Sequence, residues 1–239
     1  MSAELSVVLP AFNEAQRLGP SLERVLAYLE GRGVPFEVLV VDDGSADATA
    51  AVAERFVDRG VAVVRLAPNR GKGAALRAGV ATSTGRRVLL CDADLSTPIE
   101  DVERLEAELA RAPVVLGSRA LEASRITRRQ PLHRELMGKV FNRIVRLLGV
   151  TGIRDTQCGF KLLDGDVARA LFAELTIDRF AYDVELVWVA RRRGHRVVET
   201  GVTWHDSPAS KVHPLRDASR MLWDVLRFRF AHRGKDRRS

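Results

Sequence analysis

The sequence predicts an α/β protein, a mostly parallel sheet flanked by helices. Three observations carry that prediction. Short β-branched runs alternate with helical stretches through the first half of the chain. Those runs are continuously apolar, as in Val38-Leu39-Val40-Val41, which suits strands covered on both faces. Polar, chemistry-bearing residues recur just after them. In a doubly wound sheet ligands sit beyond the carboxyl ends of the strands, so the third observation also says where function belongs.

Strands are expected at Leu5–Leu9, Phe36–Val41, Val61–Leu66, Arg87–Cys91 and Val114–Gly117, each a short run of β-formers bounded by turn residues. Helices are expected between them at Gln16–Glu30, Asp47–Asp58, Lys72–Ala81 and Ile99–Arg111. The polar groups follow in step: Asn13-Glu14 after the first strand, Asp42-Asp43 after the second, Asn69 to Gly73 after the third, Asp92 and Asp94 after the fourth. The second half is less regular. Glu122–Gln130 is polar, arginine-rich and reads as a loop. Arg134–Gly149 reads as an amphipathic helix, with Met137, Val140, Phe141, Ile144 and Leu148 opposite Lys139, Arg143 and Arg146. A helix is expected from Tyr182 to Ala190, with Asp183 and Glu185 near its start, then a strand-like alternation over His195–Trp204. Leu215–Phe230 is again helical in pattern and Arg233–Ser239 is a charged tail. One domain is expected over residues 1–211, with 212–239 as its basic amphipathic helix and tail.

Composition removes several classes of protein. Of the 239 residues 46% are apolar and 29% charged, which excludes general disorder. The longest stretch without a charge, Leu5 to Asn13, is far shorter than the ~20 residues a membrane span needs, so integral insertion is excluded. The opening Met1-Ser2-Ala3-Glu4 is acidic, and no secretory leader is expected. Two cysteines, Cys91 and Cys158, stand without a CxxC or Cys/His cluster, which disfavours a disulfide scaffold or zinc centre and points to a reducing cytoplasm. The net charge of +7 is unevenly spread: residues 1–118 hold 13 basic and 17 acidic side chains, net −4, and residues 119–239 hold 25 and 14, net +11. An anionic partner (phosphate, lipid surface or nucleic acid) is therefore expected at the second half.

Asp92-Ala93-Asp94 directly follows Val88-Leu89-Leu90. A turn at the strand end lets both carboxylates reach one cation, and such oxygen ligands suit Mg²⁺ or Mn²⁺ with diphosphate oxygens completing the shell. The same pattern also caps helices. Val41-Asp42-Asp43-Gly44-Ser45 is a second acidic turn, open to two readings: a turn with Asp47 capping the next helix, or a carboxylate that accepts from the N–H of a pyrimidine base. Asn69-Arg70-Gly71-Lys72-Gly73 resembles an anion-binding loop before a helix. Gly rather than Ser or Thr follows Lys72, and G-x-G-x-x-G is missing, which counts against ATPases and dehydrogenases.

Taken together, Pro10-Ala11-Phe12-Asn13-Glu14, Val41 to Ser45, Asn69 to Gly73 and Asp92-Ala93-Asp94 resemble, in order and spacing, the family 2 glycosyltransferases with the Rossmann-like GT-A fold. Asp92 to Pro98, Gly117-Ser118-Arg119, Asp155 to Lys161, Phe180 to Glu185, and Trp204-His205-Asp206 with Ser210-Lys211 are similar to the dolichyl-phosphate β-glucosyltransferase branch. The resemblance spans roughly Leu5 to Lys211.

That resemblance implies residue roles. Pro10, Phe12 and Glu14 would line a nucleotide pocket, Asp43 would read the uracil N–H, and Lys72 would contact base or phosphates. Asp92, also on the nucleotide side, and Asp94 would hold the divalent cation, Mg²⁺ or Mn²⁺. Ser96 stands where related mannosyltransferases often carry a further Gln ligand. Arg119 and Lys211 would bind phosphates. Asp183 and Glu185 occupy the place of an acceptor-side carboxylate, and Asp155, Gln157, Lys161 and His205 would face the acceptor. The implied enzyme is an inverting hexosyltransferase that moves a hexose, glucose first, from a UDP-sugar to polyprenyl or dolichyl phosphate. A lipid phosphate, its second pKa ~6, is already largely dianionic at neutral pH, so Asp183 and Glu185 either act as base or orient basic side chains. The helices at Arg134–Gly149 and Leu215–Phe230 carry apolar faces edged by arginines, a pattern of interfacial helices as well as of core-facing ones. The expected place is the inner face of the cytoplasmic membrane, held peripherally or by a membrane-embedded partner. The alternatives are the same donor with a soluble acceptor, and a basic nucleic-acid-binding protein. The latter lacks a recognition-helix or aromatic-basic RNA motif and leaves the carboxylates unexplained.

Overall fold

The computed structural model describes residues 3–128, 151–205 and 223–224. In chain order the strands are β1 (Leu5–Ala11), β2 (Phe36–Asp43), β3 (Val61–Leu66), β4 (Arg87–Leu90), β5 (Val114–Ser118), β6 (Arg125–Arg128), β7 (Lys161–Asp164), β8 (Val197–Gly201) and β9 (Thr203–His205). The helices, numbered in the same way, are α1 (Ala15–Gly31), α2 (Thr49–Glu54), α3 (Lys72–Thr82), α4 (Val102–Leu109), α5 (Gly165–Glu174) and α6 (Tyr182–Arg192).

Seven strands form one sheet in the order β3-β2-β1-β4-β7-β5-β8, parallel except for β7, which runs antiparallel between β4 and β5. The predicted mostly parallel sheet is therefore present. Its apolar strands divide their residues between two cores. Val8, Leu39, Val41, Val88 and Leu90 pack toward α3, α5 and α6. Leu5, Val7, Leu9, Val38, Val40 and Leu89 pack toward α1 and α4. Each such side chain contributes roughly 1.5–3 kcal/mol by leaving water, so the double covering accounts for the unbroken apolar runs. Pro10 lies past the last β1–β4 pair, Val8↔Leu90, where a residue without an N–H is tolerated.

Three features depart from the sequence reading. Lys161–Asp164 is a strand and Gly165–Glu174 a helix, neither of which is anticipated. Four residues are too few to show a period. Their pairing partners, Leu89 and Leu90 on one side and Val115 and Leu116 on the other, lie far away in sequence. Asp164 then caps α5, accepting from the N–H groups of Asp166 (3.1 Å) and Val167 (3.2 Å). The arginine-rich stretch read as a loop contains β6, which pairs with β9 in a separate two-stranded sheet. The alternation read as one strand over His195–Trp204 is two strands of different sheets, broken at the fully buried Val202. The stretches Arg134–Gly149 and Leu215–Phe230 and the tail lie outside the described residues, apart from 223–224. No helix among the described residues is long and apolar enough to cross a membrane.

Candidate active site

The polar motifs predicted at strand ends meet along one rim of the sheet. The carboxyl ends of β1, β2, β3, β4 and β5 bring Asn13-Glu14, Asp42-Asp43, Asn69–Gly73, Asp92–Asp94 and Arg119 there. Because β7 is antiparallel, its start lies at the same rim and carries Asp155–Lys161 with it. The N-terminus of α6 adds Asp183. Among the described residues the two non-glycine positions with positive φ, Asn13 (53°) and Leu95 (47°), also fall on this rim. Such conformations cost of order 1–3 kcal/mol and persist where the surroundings impose them.

The nucleotide-side residues form a braced corner. Asn13 donates its N–H to Ser45 Oγ (2.8 Å) and accepts from the Ala46 N–H (2.8 Å), which ties the β1 and β2 loops together. The Glu14 N–H donates to Thr49 Oγ1 (2.7 Å) while its carboxylate holds Arg17 in two bonds of 2.7 Å. Phe12 is 38% exposed, an apolar ring left at the mouth. Pro10 sits just inside it on β1. Asp43 is buried, and its carboxylate accepts from Asn69 Nδ2 (2.9 Å), the Arg70 N–H (2.8 Å) and the Gly71 N–H (2.7 Å). It thus fastens the loop that leads into Lys72.

At the centre, Lys72 Nζ lies 2.5 Å from Asp92 Oδ1. Burial opposes the Asp92 charge, but the attraction of Lys72, joined by Lys161 and Arg119, holds its carboxyl below the usual range. Burial likewise opposes the Lys72 charge, and Asp92 with Asp183 more than offsets it, raising the ammonium pKa. The other Asp92 oxygen packs against Gly159: a Cβ built there would stand 2.1 Å from Oδ2. Asp94 Oδ1 accepts from both the N–H (3.0 Å) and the hydroxyl (2.7 Å) of Ser96, and its Oδ2 is 3.9 Å from Arg17. Ser96 therefore orients Asp94. No group of three or more His, Cys, Asp or Glu side chains among the described residues could hold a metal ion. Asp92 and Asp94 offer hard oxygen donors, so they fit a divalent cation only together with a ligand that brings its own oxygens, such as a diphosphate.

The far side is basic, and its charges are balanced by carboxylates. Arg119 Nε and Nη2 bind the two oxygens of Asp155 (2.7 and 2.9 Å), and the Arg119 N–H also donates to Asp155 (3.0 Å). The guanidinium lies over the Trp204 ring, 5.4 Å from its centre. Burial opposes the charge of Asp155, yet Arg119 overcomes it and keeps the carboxyl below its usual range. Asp155 thus orients Arg119 rather than facing an acceptor. Gln157 donates its N–H to the same carboxylate (3.2 Å). Lys161 corrects the expectation that it faces an acceptor. Its side chain is 0% exposed, and the ammonium bonds Cys158 O (2.5 Å) and the Asp183 carboxylate. Burial raises the Asp183 carboxyl despite Lys161 and Lys72. Burial also pushes the Cys158 thiol up to about 11 and raises the Cys91 thiol well above its usual range. Glu185, two residues from Asp183 on α6, turns away from the rim: its wholly buried carboxylate accepts from Thr176 and Ile177. An offset of two along a helix points side chains in different directions, which separates the two carboxylates. His205 donates its backbone N–H to Ser96 O (2.8 Å), and its ring meets the Thr127 hydroxyl. Lys211 lies outside the described residues.

Sequence reasoning passed over Gly159 as a packing surface for Asp92, Arg17 beside Asp94, and Glu199, which accepts from the Arg154 (2.6 Å) and Asp155 (2.8 Å) N–H groups. Only Gly159 carried a signal, a glycine inside a polar motif.

The model of the family described as Glycosyl transferase family 2 matches residues 6–172. A dolichyl-phosphate beta-glucosyltransferase of Mus musculus is 40% identical over 246 residues, covering 96% of this chain and 76% of that protein. One of Drosophila melanogaster is 42% identical over 230 residues, covering 89% and 70%. Among solved structures, mannosyl-3-phosphoglycerate synthase from Rubrobacter xylanophilus aligns with a TM-score of 0.69 at 22% identity, covering 99% of this chain and 76% of that one. Glucosyl-3-phosphoglycerate synthase from Mycobacterium tuberculosis, in complex with Mn²⁺, uridine diphosphate and phosphoglyceric acid, aligns with a TM-score of 0.66 at 21% identity, covering 94% and 76%.

Proposed function

The chain belongs to glycosyl transferase family 2 and has the GT-A fold, and from that premise we propose that it transfers glucose from UDP-glucose to a polyprenyl phosphate such as dolichyl phosphate, with inversion to a β-linked product. The observation that carries this reading is the convergence of Lys72, Asp92 and Arg119 on one rim, close enough for each charge to act on the next. The names of the relatives, 40% and 42% identical over most of the chain, support the sugar and the lipid phosphate.

In this reading the corner of Pro10, Phe12, Glu14 and Asp43 receives the uridine. Lys72 leaves Asp92 for the diphosphate as donor binds, and Arg119, held flat by Asp155 and Trp204, presents its outer edge to phosphate. Asp92 and Asp94 would hold Mg²⁺ or Mn²⁺, which would neutralise charge on the leaving diphosphate. A dianionic acceptor phosphate, its second pKa ~6, needs no general base. The positions of Asp183, paired with buried Lys161, and Glu185, turned to Thr176 and Ile177, support a mechanism in which neither removes a proton from the acceptor. Asp183 keeps Lys161 in place on the basic side of the site, which faces two phosphate ligands that repel each other. The enzyme would then act at the cytoplasmic face of a membrane, peripherally or beside a membrane-embedded partner, with Lys211 as a further phosphate contact.

The test is direct. The protein is incubated with UDP-glucose, other UDP- and GDP-sugars, Mg²⁺ or Mn²⁺, and polyprenyl phosphate in vesicles, with 3-phosphoglycerate as a soluble acceptor. The expected product is a glucosyl polyprenyl phosphate, formed from UDP-glucose and absent with Asp94→Asn. Transfer to the soluble phosphate alone would replace the lipid acceptor in this proposal, and transfer from GDP-sugars alone would overturn the donor.

A further inference from the structure

We infer that Glu185 is a positioning residue for the nucleotide-side lysine, acting through the chain segment 175–178 rather than on the acceptor; this rests on the reading of the rim as a UDP-sugar site. The carboxylate of Glu185 is wholly buried in the first turn of α6 and accepts four hydrogen bonds from one short segment. Thr176 N–H reaches both oxygens (3.1 and 3.0 Å), the Thr176 hydroxyl donates at 2.8 Å and the Ile177 N–H at 2.9 Å. That segment is the wall on which the first turn of α3 rests. Asp178 O accepts from the Ala74 N–H (3.0 Å), Arg77 Nη1 donates to Leu175 O (3.1 Å), and Arg77 also pairs with the Asp178 carboxylate.

The fit leaves no slack. A Cβ on Gly71 would stand 2.6 Å from Asp178 O, and one on Gly73 would stand 2.4 Å from Ile177 O. These two glycines flank Lys72, so the backbone that carries the ammonium is seated directly on the segment Glu185 holds. The opposite side of the same loop is held by Asp43, through Asn69 and the N–H groups of Arg70 and Gly71. The Lys72 turn is thus clamped between two carboxylates, one from β2 and one from α6. If the segment shifts, the ammonium moves with it, and its 2.5 Å approach to Asp92 is lost.

UDP binding to the full chain, measured by calorimetry without acceptor, tests this in a double-mutant cycle of Glu185→Gln and Lys72→Met. The carboxamide sets an NH₂ against the converging N–H groups of Thr176 and Ile177, and UDP affinity is expected to fall about tenfold, the equivalent of one modest interaction. In the Lys72→Met background the same change is expected to have no further effect, because the group being positioned is gone. Thr176→Val, which removes the hydroxyl bond alone, keeps the fold and gives a smaller loss in the same direction. Two results overturn the inference: losses that multiply in the double variant, which describe general destabilisation, or wild-type UDP affinity in Glu185→Gln, which together with a limb missing from the kcat–pH profile would describe a base. A wild-type protein that takes up no UDP overturns the reading of the rim itself, and this inference with it.

Discussion

The ammonium of Lys72 and the carboxylate of Asp92 form an ion pair of 2.5 Å at the middle of the rim. One partner comes from the start of α3 and the other from the end of β4, twenty positions on. The pair joins the nucleotide side of the site to the side expected to hold the cation. Lys72 therefore occupies a carboxylate oxygen that a bound cation would use. Lys72→Met is expected to weaken UDP binding by about 10- to 100-fold, the value of a charge-assisted hydrogen bond at ~1.5–3 kcal/mol. Calorimetry with UDP reads the change, and an unchanged affinity would mean that the ammonium does not reach the diphosphate.

Gly159 is expected to tolerate no side chain without loss of activity. A methyl group there would collide with the Asp92 carboxylate, whose atoms are its nearest neighbours, Oδ2 first at 2.1 Å. Gly159→Ala should lower kcat/KM by about 10²-fold, the cost of displacing a functional group by roughly 1 Å. Its melting temperature should stay close to that of the wild type, because the displaced group lies at the rim and not in a core. A fully active alanine variant would show that Asp92 does not need its present position.

The Arg119–Asp155 pair gives a pH-dependent prediction. The Asp155 carboxyl lies below its usual range in the folded chain, so its pairing stabilises the fold above the unfolded pKa of ~3.9 and is lost as pH falls through the lower folded value. Arg119→Gln leaves a buried carboxylate without its cation and should destabilise the protein by about 3 kcal/mol at pH 7. The difference from wild type should shrink as pH falls from the variant's Asp155 pKa, which burial lifts above ~3.9 once the guanidinium is gone, toward the lower wild-type value. Urea unfolding at a series of pH values measures it. An unchanged difference across that range would mean that the pair is not its source.

Both cysteines should be inert in the native protein. Cys158 has its thiol pushed up to about 11 by burial and by Asp155, and burial with Asp92 and Asp94 also raises Cys91 well above its usual range. At pH 8 the thiolate fraction of Cys158 is then about 10²-fold below that of an exposed cysteine. Iodoacetamide should label neither residue until denaturant is added, as mass spectrometry of the intact chain would record. Rapid native labelling would mean that the rim opens around Cys158.

Much of this architecture is legible along the chain, and for identifiable reasons. Parallel strands buried on both faces advertise themselves as apolar runs, so β1 to β5 can be located to within a few residues. The strand-end rule then points to Asp43, Lys72, Asp92 and Asp94 before any coordinate is known. Local signals fail for β7, four residues whose partners β4 and β5 lie far away in sequence. They fail again for β6, whose polar residues suit an exposed pair with β9 as well as they suit a loop.

By itself, then, the sequence determined which residues could carry chemistry and at which end of the strands they would stand, because hydrophobic period and strand-end polarity are local properties of a chain. Only the tertiary structure decided what each charge faces. It turned Lys161 inward to Asp183, laid Arg119 against Asp155, and set Glu185 behind the Lys72 turn rather than before an acceptor. Those choices rest on burial and on pairing between positions tens of residues apart, where the cost of an unpaired charge selects the partner, and no local pattern encodes that selection.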